Sequence, residues 1–354
     1  MNSEVTEIKL TQFAKATGCS CKIPPAQLRE ILTTATGSLP PEALLVGNST
    51  ADDAAVYVLN DDMALIATTD FFTPIVDDAY DYGRIAAANA LSDVYAMGGK
   101  PLLALSVLGW PVDTIPPALA TKVLEGARAV CAEAGIPLAG GHSIITAEPI
   151  FGLSVNGIVS PQNLKRNNTV REGDVLLLTK PIGSGILSTA GKRGVLAPEH
   201  YSELLAQLTK LNKIGELLGA ITGVTAMTDV TGFGLGGHLL EMVSGSGFGA
   251  RLEWGKVPVM PASKTYAAQR ISPDATFRNW NSISSEVVFG EGMNVMEAFS
   301  YLPDPQTNGG LLIAVQKAAL PEVQELLAGN GYEAFTNPIG EIIAKTDKAI
   351  VVNV

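Results

Sequence analysis

Two domains of mixed α/β (α+β) architecture are predicted, on three observations. The chain has 354 residues, and at roughly 150 residues per domain that leaves room for two cores. Hydrophobic residues make up 47 % and charged residues 17 %, the balance of a folded chain rather than a disordered one. In both halves, short apolar runs of strand character alternate with longer helical patterns, which is how sheets covered by helices are encoded.

The elements follow in order. The first 45 residues are mixed: a polar lead carries Gly18-Cys19-Ser20-Cys21-Lys22, and Pro24-Pro25 opens a short helical pattern over Ala26 to Leu32. This stretch reads as a mobile arm rather than a packed element. AAVYVL and MALIATTD read as strands around the turn Asn60-Asp61-Asp62. Tyr82 to Met97 is an Ala-rich helix stopped by Gly98-Gly99. LLALSVLGW is a buried strand, and Ile115 to Ala134 a helix starting near Pro116-Pro117 and ending at Gly135. IPLAGGHSI and PIFGLSVNGIVS are strand-like runs broken by a Gly-Gly turn. A hinge is expected between residues 160 and 174. Beyond it come the strand VLLLTK, the Gly-rich loop PIGSGI, helical segments around Tyr201 to Leu218, the strand VTAMTDV, the turn TGFGLGG and the helix HLLEMV. ARLEW and LLIAV read as strands, Leu320 to Ala328 as a helix, and EAFTNPIGEII and AIVVNV as closing strands. Residues 255 to 300 remain unassigned.

Charge and composition exclude several classes. With 24 basic and 35 acidic side chains the net charge is −11, which argues against a sequence-independent grip on nucleic acid. A protein this acidic needs a metal or backbone donors to hold a phosphate ligand. The longest uncharged stretch, Pro149 to Leu164, contains Pro, Gly, Asn and Gln and falls short of the ~20 residues of a membrane span. The N-terminal residues have no apolar run of the secretory kind, and three cysteines do not make a disulfide framework. A cytoplasmic location is expected.

Three groups of residues could carry chemistry. The first is the Cys-Lys segment, where Lys22 lies close enough to favour the thiolate, the reactive form of cysteine. Cys131 sits in an apolar helical pattern and reads as core. The second is a set of aspartates: Asp52-Asp53 before a strand, Asp70 ending one, Asp93 sharing a helix face with Asn89, and Asp229 after VTAM. Carboxylates that interrupt apolar segments are costly unless paired or metal-bound, and converging hard oxygens suit Mg²⁺ with substrate phosphates. The third is the glycine-rich turns. Gly140-Gly141-His142-Ser143 could offer backbone N–H groups to a phosphate, or be an ordinary turn. Gly232, Gly234 and Gly237 match G-x-G-x-x-G with Glu253 about 20 residues on. The Thr228-Asp229 pair before them is out of place in a buried parallel strand and would repel a pyrophosphate.

In this order, GCSCK, LLVGNSTADDAAVY, ATTDFFTPIVDDAYDYGRIAAANALSDVYAMGGKP, LAGGHSI, LLLTKPIGSGI, AMTDVTGFGLGGHLLEM and DPQTNGGLL resemble the selenophosphate synthetase (selenide, water dikinase) family. The resemblance spans residues 10 to about 315. GCSCK is its specific part; the rest is shared more loosely with the aminoimidazole ribonucleotide synthetase superfamily of ATP-binding proteins. The family often has Ser where Asn308 stands. The resemblance implies a two-domain fold of that superfamily: a mobile arm over residues 1–45, an ATP- and Mg-binding dimerisation domain over 46–165, and a C-terminal α/β domain over 166–354. It implies that ATP, selenide and water give selenophosphate, orthophosphate and AMP, as activated selenium for selenocysteine and selenouridine. By motif position, Cys19 is the catalytic cysteine and Cys21 its less essential neighbour. Lys22 would sit on the nucleotide phosphates, and Asp53, Asp93 and Asp229 would ligate more than one Mg²⁺. Thr50, Ala51, Asp52, Asp70, Gly141, His142 and Ser143 fall at nucleotide-contacting positions, with Asp93 beside them. A homodimer and, as selenium source, a delivery protein are further implications. The rivals are another phosphotransferase of the superfamily, against which GCSCK argues; a non-catalytic selenium or metal carrier, which would need no magnesium cage; and a nicotinamide enzyme using the G-x-G-x-x-G stretch, against which Thr228-Asp229 argues.

Overall fold

The computed structural model describes residues 8–15, 18–23, 25–32, 42–47 and 52–354. Its strands are β1 (Leu44–Val46), β2 (Ala55–Asn60), β3 (Met63–Phe72), β4 (Lys100–Trp110), β5 (Leu138–Ile145), β6 (Ile150–Val159), β7 (Val175–Leu178), β8 (Val224–Asp229), β9 (Gly249–Glu253), β10 (Val287–Phe289), β11 (Leu311–Val315), β12 (Gly340–Ile343) and β13 (Ile350–Asn353). Its helices are α1 (Pro25–Leu32), α2 (Ala79–Ala96), α3 (Pro117–Ala134), α4 (Ser184–Lys192), α5 (Pro198–Thr209), α6 (Ile214–Gly219), α7 (Gly234–Ser246), α8 (Pro261–Ala268), α9 (Asp274–Ile283), α10 (Val295–Tyr301) and α11 (Leu320–Gly329). Two sheets form, in the orders β1-β2-β3-β6-β4-β5 and β10-β13-β9-β12-β7-β11-β8.

Strand β3 shows why the first sheet has one wet face. Ala64, Ile66 and Phe72 alternate into the core, while the residues between them are half-buried or exposed. Tyr57, Phe71, Leu105 and Ile144 lie exposed. The covered face packs against α2, whose small residues leave almost no side exposed, the pattern of a helix embedded in a core. Its neighbour α3 approaches closely enough that a Cβ on Gly83 would stand 1.9 Å from the Val123 carbonyl oxygen, and one on Gly126 would stand 2.0 Å from that of Tyr80. The helix starts at Ala79, three residues ahead of the sequence expectation, because the Asp78 carboxylate accepts the Asp81 N–H at 2.8 Å and caps it.

One further expectation is corrected. Gly140-Gly141 is not a turn; both glycines lie inside β5. Glycine is needed there because β4 runs so close that a Cβ on Gly141 would meet the Ser106 oxygen at 2.2 Å. In the described parts of the arm, Leu10–Phe13 and Gly18–Cys21 form single 3-10 turns, with Leu10 fully buried. The G-x-G-x-x-G stretch follows a strand paired antiparallel to β11, not a parallel βαβ unit, so it lacks the dinucleotide-binding context. Residues 255–300, unassigned from sequence, form α8, α9, β10 and most of α10.

The Gly-rich loop ahead of α4 is occupied by the chain itself. The N–H groups of Gly183 and Ser184 both donate to Gln306 Oε1 at 3.1 Å, and that of Gly185 donates to Asp304 Oδ2 at 3.2 Å. Burial pushes Asp304 up to about 8. Its folded-state value is therefore above its unfolded value near 4. The stability it contributes is full below that pH and is lost as pH rises toward 8, by at most about 1.4 kcal/mol per pH unit. Asp304→Asn keeps an acceptor for Gly185 and should flatten the stability profile between pH 5 and 8. Urea midpoints across that range check this; an unchanged slope refutes it.

Candidate active site

The site is built where β3, α2 and β8 meet. Thr68 and Asp70 are two apart on β3 and share its covered face. Opposite them, α2 presents Asn89, Ser92 and Asp93 at helical spacing. Thr68 Oγ1 donates to Asp93 Oδ2 at 2.5 Å, and the Asn89 amide donates to Asp70 Oδ2. The second half closes in from across the chain. Thr228 Oγ1 on β8 donates to Asp53 Oδ1 at 2.8 Å, and the Asn308 N–H donates to Asn89 Oδ1 at 2.7 Å. Asn212 Nδ2 reaches Ser92 Oγ and the Gly309 carbonyl, each at 2.8 Å. Asp52 Oδ1 accepts the Asn167 N–H at 2.8 Å.

These carboxylates repel one another. Burial, then Asp229 and Asp93, hold Asp53 well above the usual carboxylate range. Burial, Asp229 and Asp70 do the same to Asp93 against the Thr68 hydrogen bond and Lys22. Asp229, 1 % exposed, is raised by burial despite a bond from Ser92 and the fields of His238 and Lys22. Positive charge comes from the arm: Lys22 Nζ lies 4.0 Å from Asp70 Oδ1. A second lysine, Lys180, is buried behind the site, where its Nζ donates to the carbonyls of Lys210 at 2.7 Å and Asn308 at 2.8 Å and burial holds it well below the usual lysine range.

The fit to a metal can be judged on the donors. Asp53 Oδ2 and Asp229 Oδ2 are buried without a hydrogen-bond partner, and such oxygens are costly unless something positive meets them. Among the described residues, no three His, Cys, Asp or Glu side chains already form a closed metal cage. A hard ion held by one or two carboxylates and completed by water or phosphate oxygens matches this arrangement, and that is the habit of Mg²⁺.

Asp53, Asp70, Asp93, Asp229 and Lys22 are thus linked in one electrostatic cluster, with Asp52 beside it in sequence. Gly141, His142 and Ser143 are elsewhere: Asp70, Leu153, Ser106 and Gly141 form one row across the sheet, three strand spacings or roughly 14 Å from end to end. Their edge strand β5 is exposed. Thr50 and Ala51 lie outside the described residues, as does the side chain of Cys19, whose backbone sits in the turn Gly18–Cys21. Burial raises the Cys21 thiol, and Cys131 is buried, as expected of core. Thr68, Ser92, Asn212 and Lys180 were not singled out in the sequence, and Thr228 was noted only as out of place in a buried strand. Of the first four, Thr68 alone had a signal, standing two residues before Asp70 on an alternating strand.

Substituting Asp229→Asn removes a repelling charge and a metal donor together. The variant should be more stable than the parent without divalent ions and should gain less from added Mg²⁺. Thermal melts with and without 10 mM-scale Mg²⁺ check this through the linkage of binding to stability; an undiminished Mg²⁺ shift refutes it.

Comparison with known proteins agrees with the fold. Residues 51–159 match the AIR synthase related protein, N-terminal domain, and residues 171–353 its C-terminal domain. Among solved structures, thiamine-monophosphate kinase from Stenotrophomonas maltophilia superposes with a TM-score of 0.64 at 18% identity, over 92% of this chain and 95% of that one. The hydrogenase maturation protein HypE of E. coli gives 0.61 at 20%, over 92% and 93%. Nearer in sequence, selenide, water dikinase of Photorhabdus laumondii is 48% identical over 99% of both chains. That of Bordetella bronchiseptica is 49% identical over 98% of this chain and 99% of its own. With such identity sustained over nearly its whole length, the chain belongs to the selenide, water dikinase family.

Proposed function

We propose that this chain makes selenophosphate from ATP, selenide and water, releasing AMP and orthophosphate, as activated selenium for selenocysteine and selenouridine. One observation carries the reading. An arm bearing Cys19 and Lys22 brings the lysine to within 4.0 Å of Asp70, beside carboxylates whose free oxygens call for a cation. Phosphoryl transfer is mostly positioning and charge neutralisation. In this reading Asp53, Asp93 and Asp229 hold Mg²⁺, more than one ion, which neutralises phosphate charge when bound. Lys22 sits on the phosphates. Thr50, Ala51, Asp52 and Asp70 contact the nucleotide, together with Gly141, His142 and Ser143. Cys19 orients selenide for attack on phosphorus, with no S–Se bond formed and selenium kept at the selenide level.

The wider assignments belong to the same proposal. The chain divides into the arm, 1–45, a nucleotide- and metal-binding half, 46–165, and a C-terminal half, 166–354. A homodimer would cover the apolar residues Tyr57, Phe71, Leu105 and Ile144 left exposed on the first sheet. Among the described residues no helix is long and apolar enough to cross a membrane, which is compatible with a cytoplasmic enzyme supplied by free selenide or a delivery protein.

Anaerobic incubation with Mg–ATP and selenide, followed by phosphorus NMR, tests the function: selenophosphate and AMP should appear together, and ATP broken down without selenophosphate would overturn it. Cys19→Ser should still bind Mg–ATP, while its selenide-dependent turnover falls by about 100-fold or more, the scale of losing a group that positions a reactant. Turnover at the parent rate removes Cys19 from the mechanism.

A further inference from the structure

The Cys-Lys segment is useful only if the arm that carries it is held in place, and the arm makes a definite set of contacts with both halves of the molecule. Thr11 gives two hydrogen bonds to one oxygen: its N–H and its Oγ1 donate to Asp77 Oδ1 at 3.1 and 2.6 Å. Asp77 stands in the loop between β3 and α2, so this anchor is tied to the elements that present Asp70 and Asp93. Three residues on, the backbone is held at two carbonyls and an N–H. Lys192 Nζ donates to the Ala14 and Lys15 carbonyls at 2.8 and 3.0 Å. Glu148 Oε2 accepts the Lys15 N–H at 3.2 Å. Lys192 closes α4 in the C-terminal half, and Glu148 lies between β5 and β6 in the first sheet. Beyond the grip, the Gly18 N–H donates to the Thr73 carbonyl at 3.2 Å. Gly18 adopts a left-handed φ of +50°, and a Cβ there would stand 2.6 Å from Ile75 and 2.7 Å from Thr307. The arm therefore passes between a loop of each half immediately before Cys19.

We infer that Lys192, with Glu148 and Asp77, is a positioning residue that holds the arm so that Lys22 and the arm cysteines meet the carboxylate site. An ammonium spent on two main-chain carbonyls neither depends on the arm's side chains nor touches the reacting atoms. What it fixes is the path of the backbone. Hydrogen bonds from a charged donor are the stronger kind, yet Lys192 is exposed, so the grip can be released without unfolding the core. Asp77 and Glu148 mark the same path from the first half, which makes the closed arm a connection between the two halves.

The inference rests on the proposed reaction for its kinetic readout but not for its structural one. Three variants are compared: Lys192→Met, which keeps the stem and loses the donors, Lys192→Arg, which restores them, and Asp77→Ala. In substrate-free protein, alkylation of Cys19 and Cys21 is followed by peptide mass spectrometry, with buried Cys131 as the internal reference. Lys192→Met and Asp77→Ala should accelerate arm alkylation by about tenfold, the size expected for losing a pair of exposed charged hydrogen bonds, with Cys131 unchanged. Lys192→Arg should return it to the parent value. In turnover assays the same two variants should lower kcat by a similar factor, while KM for ATP stays within about threefold. Arm alkylation at the parent rate in both variants, or acceleration of Cys131 in step with the arm, overturns the inference. If alkylation responds but the protein makes no selenophosphate, the arm assignment stands and the reaction assignment falls.

Discussion

Carboxylates crowded at the crossing of β3, α2 and β8 are the condition the rest of the structure answers to. Asp53, Asp93 and Asp229 each suffer from their own burial and from a neighbouring negative charge. Charges in this position cost several kcal/mol apiece unless compensated. The protein answers with hydroxyl and amide donors, one for each carboxylate group: Thr228 for Asp53, Thr68 for Asp93, Ser92 for Asp229 and Asn89 for Asp70. Such donors lower the cost without cancelling the charge. The remaining attraction for a cation is what a protein of net charge −11 can use to hold a polyphosphate.

The same need explains the shape of α2. To bring Asn89, Ser92 and Asp93 against both sheets, the helix must be approached from nearly every side, and alanine and glycine permit that closeness. The buried amide of Asn89 is then fixed in orientation, since its two ends serve different halves of the chain: Asp70 on β3 and the Asn308 N–H. Lys165 makes a parallel connection away from the site. Its N–H donates to Met97, and its Nζ to the carbonyls of Ile221 and Val224. Relative placement of the halves is thus specified by buried polar bonds as well as by apolar packing.

Much of this was legible in the sequence, and the boundary of legibility has a physical basis. Alternation over MALIATTD placed Asp70 on a strand, and the four-residue spacing of Asn89 and Asp93 placed both on one helix face, because each signal is local. The aspartate set stood out because charge inside apolar segments is unusual. What escaped was contact between distant segments: Asn308 lies 219 residues from Asn89, and Lys180 resembles any lysine after a strand until the fold encloses it. Gly140-Gly141 was misread as a turn because glycine serves both turns and close strand approach, and only the neighbouring Ser106 distinguishes them. The contacts of the arm were out of reach for a similar reason. A single 3-10 turn has no periodicity to detect, and its anchors, Asp77, Glu148 and Lys192, lie far away along the chain.

The grip at Ala14 and Lys15 also sets a concentration. Lys22 follows the gripped residue by only seven positions, so its ammonium explores a small volume around the site rather than the solution. A group on a short tether has an effective concentration on the order of mM or higher, and each residue released from the grip enlarges the volume it explores. How often lysine and thiol arrive together at the carboxylates is therefore governed by where along the arm the chain is held, and two carbonyl contacts from a surface lysine can tune that frequency without altering any group that touches the reactants.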